Sequence, residues 1–537
     1  MQKMKKALAL LLALALTAGL GVTAFAATTH PSSSDTATAT VYNVESGLEV
    51  TAYQIVYATY ADTGEGLTGF EVADGCTIAD IEDPTSTEII AIAAAINSGT
   101  LSLTSVEMEE QSDGSYQADL TAGTWLVLVR TSGADSLVIY NPMIVSINYT
   151  DANDASSITV GSVDSEGNFE SNAEGAVYAK QTTSYIDKSV SESGEDGTYG
   201  NEADVDVGDT VYFRIETTIP DYSTEYSSAL FDITDEWTDG LEVNLTTSGS
   251  GLTVTVGGTV YKATTSTYQF TYSQTGNTFI VSFYTSFIFA HLGEDVVIEY
   301  SATVTDEAVM ASEYNPNTVT LEYSNNPTTN EDCAVITDEV YVYTYELTVE
   351  IVKVGEEGDA EASAQTVTVT NPLACAEFTV YTDSLLTEIY TNDIFDGTYT
   401  TDDDGFIKIQ GLDAGTYYIT ETDAPTGYTI NDTVYTVVIT PTYDDAGLLT
   451  AYTIAVTDSE TGTTNSTVRE YIYDTDYNTE ELVQTLAYIS IEPTVVEDIH
   501  LAVLPSTGAN TAAAMMIIGI LGVIAIVLFA SRRRKTA

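Results

Sequence analysis

Alternation constrains this chain most. Strand-like runs include residues 39–42, 49–57, 124–130 and 138–149, rich in Val, Ile, Thr and Tyr. A period of two places successive side chains on opposite faces, as in a half-buried strand. β-branched and aromatic residues fit such pleated surfaces. Between the runs stand Gly, Asp, Asn and Thr, and only 11 Pro occur in 537 residues. Short strands punctuated by turn residues predict an all-β chain of tandem immunoglobulin-like sandwiches, with room for about three domains. One stretch breaks the pattern. Ile89, Ile92, Ala93 and Ile96 recur at helical spacing, Thr85 or Ser86 can cap, Glu88 sits in the first turn and Gly99 follows the end. This helix is expected to pack against the first sandwich.

Both ends carry processing signals. Lys3, Lys5 and Lys6 precede an apolar core at 7–16, and Ala24-Phe25-Ala26 offers a small-x-small site, so residues 1–26 read as a secretory signal peptide cleaved after Ala26. At the other end Leu504-Pro505-Ser506-Thr507-Gly508 is followed by an apolar run, 511–530, and by Ser531-Arg532-Arg533-Arg534-Lys535. Twenty helical residues span about 30 Å, a bilayer core. The basic cluster holds the tail on the cytoplasmic side. The two ends contain seven of the fifteen Lys and Arg and none of the eighty Asp and Glu. Eight basic residues thus face eighty acidic ones in the body of the chain, which argues against nucleic acid or anionic membrane as a partner.

Cys76, Cys333 and Cys375 form no disulfide framework, Cys333–Cys375 being the one candidate bridge. His30, His291 and His500 are too few and too scattered for a zinc site or a His-based triad. The acidic turn Asp402-Asp403-Asp404-Gly405 lacks the spaced ligands of a calcium loop and reads as a β-turn. No metal or cofactor is expected, and no enzymatic turnover.

Pentapeptide, apolar helix and basic stop, in that order, resemble the sorting signal of Gram-positive surface proteins. The resemblance implies that a sortase cleaves Thr507-Gly508 and joins the Thr507 carbonyl to an amine. Only five lysines lie between the processing sites: Lys180, Lys188, Lys262, Lys353 and Lys408. Residues 171–180 resemble the W-x-x-x-V-x-V-Y-P-K motif of sortase-assembled backbone pilins. Val177, Tyr178 and Lys180 match, while Ser171, Gly175 and Ala179 depart from it. The resemblance implies that Lys180, in a linker at 176–182, supplies the amine that takes the Thr carbonyl of the next subunit.

Three polar residues of the region 183–344 fall in register with apolar positions. Lys188 shares a strand face with Ile186 and Val190, Asp235 with Phe231 and Ile233, and Asn317 with Val319, Leu321 and Tyr323. Burying one such group alone costs several kcal/mol, so a common site is indicated. The pattern resembles the isopeptide-forming domain of backbone pilins. That implies attack of Lys188 on the Asn317 amide, with Asp235 as catalytic acid. Asn315 and Asn325 share the parity and remain alternatives.

In the region 345–500, Leu347, Val349, Ile351 and Lys353 share one face. Residues 373–378 are similar to the family's L-A-G-A-E-F, with Cys375 in place of Gly. Residues 417–428 resemble the pilin E-box, Y-x-L-x-E-T-x-A-P-x-G-Y, with Ile419 for Leu, which implies a collagen-adhesin B-type domain with Glu421 aimed at the core. The last strand is expected at 487–493. That would put Pro493 where the reacting Asn should stand, Glu492 on the far face and Asp498 beyond the strand. Lys353 and Glu421 are therefore expected to form a buried salt bridge without a cross-link, Asn478 being the first suspect if an amide partner exists.

The resemblance spans the chain: signal peptide 1–26, N-terminal domain 27–175, linker 176–182, isopeptide domain 183–344, B-type domain 345–500 and sorting signal 504–537. It implies a backbone pilin. Such a subunit is polymerised head to tail by sortase, is attached to peptidoglycan, and is open to accessory pilins and host surface ligands as further partners. A wall-anchored adhesin that never polymerises is the alternative.

Overall fold

The computed structural model describes residues 30–501 except 62–65, 82–83, 132–135, 164–168, 172–175, 195–196, 224, 266–267, 311–314, 330–332, 364 and 476–481. The signal peptide ending at Ala26, Asn478, the pentapeptide 504–508 and the apolar run 511–530 lie outside the described residues.

The chain is all-β, built from three sandwich-type domains in sequence order. In the first, a four-stranded sheet contains Thr36–Tyr42 and Tyr116–Thr121, and a seven-stranded sheet is centred on Glu49–Tyr60 and Gly123–Arg130. Trp125, Val127 and Val129 point into the sandwich. Leu126 and Leu128, of opposite parity, are covered by the helix Ser86–Asn97 through Ile89, Ile92, Ala93 and Ile96. A strand buried on both faces thus needs that helix. Thr85 and Glu88 form a capping box, each side chain accepting from the other's backbone N–H.

Residues 176–182 are not a linker. Ala176–Tyr178 runs parallel to Thr36–Tyr42 and closes the four-stranded sheet, with Val41 opposite Val177. Gln181–Thr182 pairs with Ile139–Tyr140. The first domain therefore extends through the pilin-like motif. The run 138–149 is also divided, because Pro142 cannot donate to a ladder and Met143–Tyr149 joins the other sheet.

In the middle domain one sheet runs Ile186–Ser191, Thr210–Thr218, Asp295–Val304, Thr253–Val256, Thr259–Lys262. The facing sheet runs Glu202–Asp204, Cys333–Tyr343, Asn315–Ser324, Phe231–Trp237, Thr278–Phe283, Phe270–Thr275. Phe213, Ile215, Val254 and Ile298 from the first meet Ile233, Val319 and Leu321 from the second. The third domain packs a seven-stranded sheet, from Thr398–Thr400 to Leu482–Ser490, near a three-stranded one in which Ile351–Ser363 lies parallel to Thr494–Asp498.

The Cys333–Cys375 bridge is not formed, and no disulfide joins the three cysteines: Cys333 is buried in the middle domain and Cys375 is exposed in the third. Cys375 adopts φ +65°, a left-handed conformation that favours Gly and accounts physically for the Gly usual at this place in the motif. The Asp402–Gly405 segment is a turn closed by the Gly405 amide donating to the Asp402 carbonyl at 3.0 Å, and among the described residues no cluster suits a metal.

The first two domains are joined by specific hydrogen bonds. Asn325 Nδ2 donates to the Ser136 carbonyl at 2.6 Å and Asn326 Nδ2 to the Thr131 carbonyl at 2.7 Å. Asn97, at the end of the helix, donates to the buried Glu225 carboxyl of the middle domain at 3.1 Å. Burial pushes the Glu225 carboxyl up to about 7. A folded pKa above the unfolded value of about 4.3 gives stability that is present at low pH and lost as pH rises through the folded pKa. Docking of these domains should therefore weaken between about pH 4.5 and 7. Protection factors of residues 219–230, taken against the intrinsic exchange rate at each pH, should be lower at pH 8 than at pH 5, and Glu225→Gln should remove most of that difference.

Candidate functional site

Lys188 is the third of six residues in the first strand of the middle domain, Ile186–Ser191, and its parity with Ile186 and Val190 turns it inward. It is 1 % exposed, and Asp235 and Asn317 are 0 % exposed. Asp235 lies opposite Val319, and Asn317 opposite Trp237, on neighbouring strands of the facing sheet. The Lys188 amine thus reaches across the sandwich. It donates to Asn317 Oδ1 at 2.8 Å and to the Tyr300 hydroxyl at 3.1 Å, and it forms an ion pair with Asp235 Oδ2. Tyr300 donates to Asp235 Oδ1 at 2.7 Å and accepts from Asn317 Nδ2 at 2.7 Å. Phe213 and Tyr300 place their rings 5.4 and 5.6 Å from the amine and seal it from water.

Burial decides the electrostatics here. Desolvation pushes the Lys188 amine below the usual lysine range, against the pull of Asp235, and pushes the Asp235 carboxyl above the usual carboxylate range. Both shifts favour moving the proton from nitrogen to oxygen, leaving a neutral amine beside a neutral acid. A neutral amine has the lone pair needed to attack an amide carbon, and a neutral acid can polarise the carbonyl and return a proton. The other asparagines are committed elsewhere. Asn315 is held by Val309 on both sides and by the Val342 carbonyl, while Asn325 sits at the domain junction. Tyr300 was missed from sequence because a tyrosine among inward Val296, Ile298, Ala302 and Val304 reads as one more apolar residue. Its one signal is a hydroxyl at an inward parity opposite Phe213.

The third domain holds a second buried lysine. Lys353 is 0 % exposed on the strand Ile351–Ser363 and donates to Glu421 Oε2 at 3.1 Å. It also forms an ion pair with Asp498 Oδ1. Asp498 does not lie beyond a strand. It ends Thr494–Asp498, is 1 % exposed, and is carried inward by parity with Thr494 and Val496. The expected last strand was misplaced: Leu482–Ser490 is the outer strand of the large sheet, and the chain then turns through residues 491–493 to lie beside Lys353 in the other. Lys353 and Glu421 are in contact, but as two members of a triad. Burial pushes the Glu421 carboxyl up to about 7. Glu421 Oε1 and Asp498 Oδ2 are buried without a hydrogen-bond partner. Two carboxyls around one amine, each with an orphan oxygen, are best accommodated when one carries a proton.

The remaining lysines are at the surface. Lys408 is paired with Asp402 at 2.7 Å. Lys262 and Lys180 are exposed and have no ion pair among the described residues. Lys180 follows the buried Ala179, and its carbonyl accepts from the Asn141 amide at 3.1 Å. Beside it Tyr178 is 63 % exposed and stacks on Tyr42, with centroids 5.4 Å apart. A fixed backbone therefore presents a free amine next to an uncovered aromatic ring.

Three segments match known families. Residues 34–165 match the T6 antigen Ig-like domain, residues 364–450 the prealbumin-like fold domain, and residues 501–537 the LPXTG cell wall anchor motif. The trypsin-resistant surface T6 protein of Streptococcus pyogenes serotype M6 is 26 % identical over 444 residues, covering 79 % of this chain and 75 % of the relative. The solved T6 backbone pilin of serotype M6 Streptococcus pyogenes, described as a modular three-domain structure, superposes with a TM-score of 0.59 at 21 % identity, covering 88 % of this chain and all of that one.

Proposed function

From the premise that the chain belongs to the sortase-assembled backbone pilins, we propose that it is polymerised through Thr507 and Lys180 and stiffened by internal amide cross-links. It is a wall-anchored surface protein and a pilus subunit. In polymerisation the Thr507–Gly508 amide is exchanged for one between the Thr507 carbonyl and Lys180 Nζ, Gly508 leaving as an amine. Sortase is the partner that catalyses the exchange. Copies of this chain supply both ends, and the last Thr507 carbonyl is joined to peptidoglycan.

One observation carries the choice of acceptor. The five lysines divide by environment. Two are enclosed against carboxyls inside their domains, one is ion-paired at the surface, and Lys180 stands exposed in the pilin-like motif. Lys262, also exposed, lies on the strand Thr259–Lys262 with no such motif around it. In the middle domain the reading is that neutral Lys188 attacks the Asn317 side-chain carbonyl, that Asp235 and Tyr300 pass a proton to the leaving nitrogen, and that ammonia departs.

Lys180→Arg keeps the charge but removes the nucleophile. The full chain carrying it should fold, reach the wall as a single band and lose the ladder of covalent multimers in denatured wall extracts. A ladder that persists in Lys180→Arg and vanishes in Lys262→Arg would move the acceptor. A single band from the unaltered chain would favour the adhesin that never polymerises.

A further inference from the structure

The seven-stranded sheet of the third domain ends on an open edge. Its last strand, Leu482–Ser490, pairs with Thr464–Thr475 on one side, and no backbone hydrogen bond joins it to any other described residue. Every second N–H and C=O of such a strand points away from its one neighbour. Folded proteins blunt their edges with charge, Pro or shortness. Several edges of this chain follow that rule. Glu109–Glu110 and Glu202–Asp204 carry acids, Thr259–Lys262 ends in a lysine, and Phe169–Ser171 and Thr398–Thr400 are three residues long. The uncharged Phe270–Thr275 has six residues, and Thr366–Pro372 has seven and ends in Pro. Leu482–Ser490 has nine, the longest edge among the described residues, and residues 482–491 contain no charge and no Pro. Val483 is 44 % exposed and Tyr488 52 %, and Ala487 is exposed between them. The hairpin's carboxylates, Glu470 and Asp474, stand on the inner strand opposite Tyr488 and Val483, so the edge itself presents none.

We infer that this edge pairs with the same edge of a second copy, antiparallel about a two-fold axis at Leu486, and so joins neighbouring fibres side by side. The joining of fibres rests on the polymer reading above. Charge and symmetry select the occupant. Eight basic residues against eighty acidic ones in the body of the chain make copies repel one another over most of their surface. Ten uncharged residues are where two such surfaces approach at least cost. The strand is also complementary to itself. Antiparallel pairing about Leu486 sets Val483 against Ile489, Gln484 against Tyr488 and Thr485 against Ala487, and no charge faces another. The outward N–H and C=O groups of one copy then find their partners on the other. Glu481 and Glu492 bracket the segment in sequence, which limits the length of the pairing and makes it dependent on salt. One contact of this size is weak. A covalent fibre presents it once per subunit, so after the first contact between two fibres the later ones are effectively intramolecular and their effects multiply.

The test uses fibres sheared from cells that carry the full chain. They are scored for the covalent ladder and, by negative-stain microscopy, for the share of fibre length lying in bundles at low and high salt. Fibres of the unaltered chain should bundle in high salt and separate in low salt. Val483→Glu and Ala487→Glu should each cut the bundled share about tenfold and leave the ladder unchanged. Val260→Glu makes the same charge change at a position 58 % exposed on the edge Thr259–Lys262, and should leave the bundles as they are. The double variant Thr485→Lys with Ala487→Glu sets opposite charges across the axis twice, and should bundle again, now in low salt as well. Bundles that persist in both single variants overturn the inference. An equal loss in Val260→Glu would make general repulsion the cause, and also overturns it. A double variant that stays single would mean that the edge does not pair with itself. Ladders without bundles at any salt would sink this inference alone, whereas an unaltered chain without ladder or fibre would sink the polymer reading and this inference with it.

Discussion

The processed chain should weigh one ammonia less than its sequence on account of the middle domain alone, and Asn317→Ala should abolish that deficit. Lys188 Nζ and Asn317 Oδ1 are 2.8 Å apart across 129 residues of sequence. Closing a loop of that length is worth about 4–5 kcal/mol in the chain-entropy treatment used for disulfides. Asn317→Ala and Lys188→Ala should therefore unfold at markedly lower temperature and become open to protease. Asp235→Ala should be worse than either if it also prevents the bond, because it leaves a buried amine without its carboxylate, a loss of about 3–5 kcal/mol. Tyr300→Phe removes only the hydroxyl between Asp235 and the leaving amide nitrogen. It should slow bond formation on refolding without changing the final mass. An ammonia deficit retained in Asn317→Ala and lost in Asn315→Ala or Asn325→Ala would move the bond. Both rivals have their amides engaged with backbone carbonyls elsewhere.

The parts legible in sequence were those that a local period encodes. Strand parity turned Lys188, Asp235 and Asn317 inward on three separate strands, and the helix was readable from its four apolar positions and its cap. What failed was long-range. Ala176–Tyr178 is three residues long and becomes a strand only by pairing with Thr36–Tyr42, far earlier in the chain, so nothing local separates it from a linker. Parity also fails where a chain changes sheet. Counting on from Ile489 and Ile491 reaches Pro493, but the strand has already ended at Ser490 and a new one, with its own phase, starts at Thr494. That one break concealed Asp498. Tyr300 was hidden for another reason: its ring does the work of a core residue, packed 5.1 Å from Phe213 and 5.2 Å from Phe279, while its hydroxyl joins the polar cluster.

Asp498 changes what the third domain should do. A Lys353–Glu421 salt bridge alone would leave the mass of that domain at its sequence value. With Asp498 in contact with the amine, condensation is open to Lys353: its nitrogen bonds to the Asp498 carboxyl carbon and one water leaves. Glu421, pushed up to about 7 by burial, is the group placed to carry the proton. The product would hold an amide and a neutral carboxyl, with no buried charge in place of the two of the ion pair, and desolvation strongly favours that exchange. The whole chain should then fall short of its sequence by one ammonia and one water. Asp498→Ala should keep the ammonia deficit, lose the water deficit and destabilise the domain by about 4–5 kcal/mol, as for a long cross-linked loop. Asp498→Asn gives the sharper check. Its amide would lose ammonia where the acid loses water, so both chains should end as the same molecule with the same intact mass. Two masses that still differ by the acid-to-amide increment would leave Lys353 as a salt-bridge partner only. The sign of the pH dependence follows from Glu421 acting in its protonated form. Bond formation on refolding should proceed below about pH 7 and slow as the pH rises past it, and Glu421→Gln should be slow throughout.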